Sequence, residues 1–265
     1  MSVFRKFAAL CSDVSCSTRK NCTYHTPSDD VMRSLSELWG STIARKWIMA
    51  VTGIGLVLFL FGHLAGNMLL FMGPEAMNTY AYDLKHLLHG AGIWLARGGL
   101  LLFAVLHIWS AFTLTRRIRA SRPQGYARTE HRTSSIASRS MALSGLLILS
   151  YVLYHLAHFT WGAVHTEWYD GTYTLANGIV VHDVYGMVVA SFRQPLIAVL
   201  YMLAMVFTGM HLHHAIQSAV QTLGISHPRY APVIRKGGKA LAIALAVGFG
   251  SLPLTILLGL VGGTH

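Results

Sequence analysis

The chain of 265 residues is 53% hydrophobic and only 12% charged, which excludes a disordered chain and is unusual for a soluble domain. Its formal net charge of +11 invites a nucleic-acid reading. The arginines, however, gather between long apolar runs, as cytoplasmic loops of membrane proteins do, rather than along one binding face.

Residues 1–31 are polar, rich in Ser, Thr, Asp and Cys, and without periodicity. The opening MSVFRKFAAL is positive and then apolar, but its apolar part is too short and broken for a signal peptide. Residues 1–32 are therefore expected to be a mobile or non-native extension, Met32 being a sensible alternative start, and 33–265 the functional domain. Cys11, Cys16 and Cys22 all fall in this extension with no CxxC and no metal-ligand spacing, so no role is assigned to them.

Five apolar runs follow, at about 46–72, 91–115, 140–161, 195–220 and 240–261, each near the ~20 residues that span a bilayer. None holds an Asp or Glu. Trp47 anchors the start of the first, Arg97 can snorkel from the second, and Pro253 in the last is tolerated as a kink. The loop after the second run carries Arg116, Arg117, Arg119, Arg122, Arg128, Arg132 and Arg139 against Glu130 alone. The loop after the fourth carries Arg229, Arg235, Lys236 and Lys239 with no acid. The positive-inside rule then predicts a cytoplasmic N-terminus and an outer C-terminus. The expected fold is all-α: five transmembrane helices in an antiparallel bundle.

Seven histidines lie within these runs: His63, His107, His155, His158, His211, His213 and His214. An ionisable group at such depth points to function and needs a partner. The first four runs each carry one about two-thirds along, namely His63, His107, His155 and His211. Because successive helices reverse direction, His63 and His155 fall in the outer half and His107 and His211 in the inner half. At ~1.5 Å rise per residue the two levels are roughly 12–15 Å apart. Two histidine pairs at two depths are what two stacked bis-histidine b-type haems require, and such iron moves electrons because no coordination site is open. His158 and His214, each three residues after a proposed ligand, could substitute for it or contact the haem periphery. His213 should point away from the haem that His211 faces.

The ordered segments HLAGN (63–67), LHIWSAF (106–112), SRSMALSG (138–145), YHLAHF (154–159) and HLHHAIQSAVQTLG (211–224) resemble the dihaem cytochrome b membrane anchors of succinate dehydrogenases and fumarate reductases, of the five-helix, menaquinone-associated type. The resemblance covers about residues 33–262. It implies that His63 and His155 hold a distal haem and His107 and His211 a proximal one, with Arg139, His158 and His214 in supporting positions. It also implies a flavoprotein and an iron–sulfur subunit docked on the cytoplasmic side of a bacterial membrane. Electrons would pass from succinate through these partners and both haems to a quinone near the distal haem, the chain having no dicarboxylate site of its own. By location, Asn67, Asn78, Tyr80, Tyr82, His86 and His89 are candidates to line the quinone site. The alternatives are a cytochrome b anchor of a hydrogenase or formate dehydrogenase, and a haem-free transporter using its histidines as relays. Position 209, two before His211, is Gly, and no run holds a carboxylate, so a transmembrane proton path through an intramembrane glutamate is not expected.

Overall fold

The computed structural model describes residues 41–121, 140–225 and 227–262. The expected extension 1–32 and Arg139 lie outside the described residues. Five helices are long and apolar enough to cross a membrane, and the chain is a multi-pass membrane protein. Helix α1 (Thr42–Met68) continues as a 3-10 turn to Met72. A short helix, α2 (Pro74–His86), and a tight turn lead into α3 (Ala91–Ala120). Then come α4 (Met141–His155) with a π-helical turn to Thr160, α6 (Pro195–Thr222) and α7 (Ala231–Leu257).

The last span differs most from the apolar run at 240–261. Helix α7 begins at Ala231, with Pro232 in its first turn, where a missing N–H is harmless. Its first turns therefore hold Arg235, Lys236 and Lys239, which hydropathy alone leaves in the loop. Its regular part stops at Leu257, just before Gly259 at φ +72.

Between α4 and α6 the chain forms structure that the apolar runs do not announce. A hairpin pairs β1 (Thr172–Thr174) with β2 (Val180–His182), Thr172 opposite His182. Its turn carries Asn177 and Gly178, the latter at φ +84, a left-handed conformation that glycine adopts without strain. Asp183 then caps α5 (Val184–Phe192), accepting a hydrogen bond from the Gly186 amide at 2.9 Å.

This hairpin and α5 are fastened to α2. Fully buried Asn78 donates to Asp183 Oδ1 at 2.8 Å and accepts from the Tyr185 amide at 3.1 Å. Glu75 accepts from the Ala176 amide at 3.0 Å. Below this cap lies the main apolar cluster, including Leu70, Met77, Val188, Phe192, Ile197, Tyr201, Leu252 and Ile256. A second cluster, Leu212, Ala242 and Leu245, sits farther along α6 and α7. Helices α6 and α7 are the most closely packed pair of elements. One reason is Gly209, where an added Cβ would stand 3.0 Å from the Ala246 Cβ. Glycines likewise let α1 meet α3: a Cβ on Gly53 would lie 3.2 Å from the His107 ring, and Gly55 faces Phe103.

Candidate functional site: two histidine pairs

Helix α1 and helix α4 bring His63 and His155 together. Their ring centroids are 5.9 Å apart and the planes nearly perpendicular, at 84°. Two imidazole nitrogens bound to one metal at about 2 Å would place the ring centroids roughly 6 Å apart, so the spacing suits a shared ion. Aromatic rings surround the pair. Phe59 stacks on His63 at 5.3 Å and Phe249 lies 5.7 Å from it. Tyr151, Phe159 and Tyr201 lie 5.9, 5.6 and 6.1 Å from His155.

The polar environment of this pair is sparse. Among the described residues His155 Nδ1 is buried with no hydrogen-bond partner, which is costly for a polar atom in an apolar interior. Asn67 commits its amide to the His63 carbonyl at 2.7 Å and only grazes His63 Nδ1 at 3.5 Å, too long to fix which ring nitrogen carries the proton. Neither ring is therefore oriented by a strong bond at Nδ1.

The second pair is built differently. His107 on α3 and His211 on α6 lie within electrostatic reach of each other. His107 Nδ1 is 3.2 Å from the Met49 carbonyl and 3.4 Å from Thr52 Oγ1. Thr52 spends its own hydrogen on the Ile48 carbonyl at 2.6 Å, so its oxygen is free to accept. His211 Nδ1 is 3.1 Å from Ser144 Oγ, and Ser144 points its hydrogen at the Met141 carbonyl at 3.2 Å. At His107 a carbonyl faces Nδ1, so Nδ1 is the donor and the Nε2 lone pair is left for a ligand; at His211 the same holds when Ser144 gives its hydrogen to Met141. That is how outer partners prepare a metal-binding imidazole.

The remaining histidines divide clearly. His158 is 2% exposed, and both its nitrogens are used, Nδ1 with Tyr201 Oη at 3.1 Å and Nε2 with Ser191 Oγ at 3.0 Å. It ties α4, α5 and α6 together. His213 pairs with Gln217 at 3.3 Å. His214 is half-buried on the same helix.

The six quinone candidates do not form one site. Asn67 touches His63, and Tyr80 lies against Gly66 of α1. Asn78 is fully occupied in the cap. Tyr82 and His86 contact each other at 4.0 Å on the surface, and His89 sits in the left-handed turn before α3.

Sequence reasoning missed the polar and aromatic cluster at the cap end. Tyr154 Oη lies 3.2 Å from His165 Nε2, and His165, held at φ +56, stacks on Trp168 at 5.0 Å. The His158 and His165 rings are 4.9 Å apart. The available signal was the spacing of Tyr151, Tyr154 and His158, which repeats every three or four residues and places them on one helix face.

No family model, curated protein or solved structure matches this chain.

Proposed function

We propose that the chain is the cytochrome b membrane anchor of a succinate:quinone oxidoreductase, with one b-type haem between His63 and His155 and a second between His107 and His211. The observation that carries the reading is the contact of His63 and His155 at 5.9 Å from two spans, with His107 and His211 on the other two spans, each with a polar neighbour at Nδ1. Among the described residues no three His, Cys, Asp or Glu side chains gather as a metal site. Two imidazoles are too few for a site made of protein alone, whereas a haem would need only two from the protein, which each pair would supply. The Nε2 lone pair of His107, left by its Nδ1 bond to the Met49 carbonyl, fits such a group, as does the apolar, aromatic surrounding of His63 and His155.

A haem held by two imidazoles supplies reversible one-electron transfer. The chain's contribution is orientation, insulation and charge. Met49 and Thr52 hold the Nδ1 proton of His107, and Ser144 orients the His211 ring through Nδ1. Phe59, Phe159 and Phe249 exclude water from the outer pair. Arg116, Arg117 and Arg119 at the end of α3, with Arg229 and Arg235, offer a basic surface for an iron–sulfur subunit and its flavoprotein on the cytoplasmic side of a bacterial membrane. Asn67, the one quinone candidate touching a paired histidine, is the best placed to meet a menaquinone beside the outer pair.

A pyridine haemochrome assay on the purified protein tests the reading. Two haems per chain are expected, and H63A and H107A should each retain one. A chain without b-type bands, or either variant keeping both haems, overturns it. Co-purification with a flavoprotein that oxidises succinate separates this anchor from that of a hydrogenase or formate dehydrogenase.

A further inference from the structure

A groove of about 330 Å³ runs along the α6–α7 pair, and none of His63, His107, His155 and His211 lines it. Val206 and Met210 form one wall and Ile243 and Val247 the other. Gly209 brings the two helices together at its floor, where they meet at Ala246. The apolar walls lead to a polar end made by His213 and Lys239. Gln217 lies one turn beyond His213 and bonds to it at 3.3 Å.

Lys239 makes this groove unlike an ordinary seam between membrane helices. It stands about 12 Å along α7 from Ala231 at ~1.5 Å per residue, beyond the exposed Arg235 and Lys236. Neither α6, α7 nor the turn between them contains a carboxylate that could answer its charge. A lysine at that level keeps its head in the interface and its stem along apolar surface, so it prefers an anionic neighbour from the lipid itself. The groove is apolar over roughly 6 Å of each helix, at ~1.5 Å per residue from Val206 to Met210 and from Ile243 to Val247, which holds part of an acyl chain, and it is cationic where a phosphate would lie.

We propose that this groove binds one anionic phospholipid, with an acyl chain along Val206, Met210, Ile243 and Val247 and the headgroup phosphate at Lys239 and His213. The occupant is a lipid rather than free phosphate because the apolar channel is continuous with the cationic end. The proposal does not depend on haem content.

The test uses the purified full chain, delipidated in a neutral detergent, with its unfolding temperature followed as lipid is added. Phosphatidylglycerol should raise that temperature by several degrees, and phosphatidylcholine or inorganic phosphate should not. K239Q, which keeps most of the stem and removes the charge, should lose most of the rise, whereas K85Q, the same charge change on α2, should keep it. Native mass spectrometry should show one retained anionic phospholipid on the wild type and a several-fold lower fraction on K239Q. Equal stabilisation by phosphatidylcholine, an undiminished response in K239Q, or no lipid dependence at all would overturn the proposal.

Discussion

The two histidine pairs share a residue type and a spacing rule, yet they are held by different forces. At the His107–His211 pair, the inner one in the proposed orientation, each ring has a hydrogen-bonded Nδ1, to Met49 and Thr52 for His107 and to Ser144 for His211. At the His63–His155 pair, the outer one in that orientation, the rings are held by aromatic contact, and His155 Nδ1 has no partner among the described residues. The polarity of that end is instead concentrated in His158, both of whose nitrogens are engaged. The inner pair is therefore set by directed bonds within the bundle, and the outer one by shape, with a hydrogen-bonded histidine as its neighbouring brace. Directed bonds fix the tautomer of a ring, whereas packing fixes only its position.

The largest effect expected from this contrast is on cofactor content. If each pair holds a haem as proposed, H155A should remove one and H211A the other, each leaving the opposite pair intact, as read by haem per chain and by two separable redox titration steps. Loss of both haems in each variant would show that the pairs form one cooperative unit, and the contrast between them would collapse.

The next largest concerns the brace. S191A leaves His158 Nε2 buried without its partner, which should cost about 1–3 kcal/mol of stability. Y201F removes the partner of Nδ1 and should cost a similar amount. Both should loosen the His63–His155 pair while leaving unchanged the spectrum of the haem proposed at His107 and His211. An equal change at both haems would mean that His158 supports the whole bundle rather than one end.

A subtler effect separates the hydroxyl-held rings from the others. In the proposed dihaem protein S144A should raise the midpoint potential of the inner haem only, and T52V should move it less, because the Met49 carbonyl still accepts from His107 Nδ1. Losing an acceptor at Nδ1 makes the imidazole a poorer donor to iron and so favours the reduced form. Each should also cost about 1 kcal/mol of stability. N67A should leave the outer potential nearly unchanged, because its amide is spent on the His63 carbonyl rather than on the ring. A shift in N67A as large as that in S144A would erase the distinction.

The outline of this architecture was open to sequence reading because a bilayer imposes it. Length and hydropathy mark all five spans, and the scarcity of charge makes every buried histidine conspicuous. The pairing of His63 with His155 followed from depth alone because helices that reverse direction place equal fractional positions at alternating levels. The cap was not read, although its signals were there. Pro74 after Gly73 marks a helix start, Asn177–Gly178 before Ile179, Val180 and Val181 marks a hairpin, and Asp183 three residues before Gly186 marks an N-cap. Each is short and lies between much stronger apolar signals. The partners of the ring nitrogens are a different case. That Thr52 lies beside His107, 55 positions away, depends on how α1 crosses α3 at Gly53 and Gly55. No local pattern encodes such a crossing, and the same holds for Ser144 with His211.

The smallest effect lies in the cap and concerns pH. His182, at the end of β2, is held below its ordinary value of 6.5 mainly because burial disfavours its charged form. Lys85 lowers it further, and Asp183 and Asp170 oppose the shift in part. A histidine whose folded pKa is depressed binds its proton less readily in the fold than in the unfolded chain. Its neutral form therefore supports the cap above about pH 6.5, and that support is lost as pH falls through 6.5 toward the folded value. Acidification from about pH 7.5 to about pH 5.5 should destabilise the wild type more than H182N. Amide exchange in residues 172–183 gives the direct readout, with faster opening expected at the lower pH in the wild type alone. Neither histidine pair should respond to H182N, since the ring of His182 contacts Tyr169 at 4.9 Å and belongs to the hairpin. A change in haem spectrum with H182N would instead join the cap to the outer pair, making shape at that end depend on charge after all.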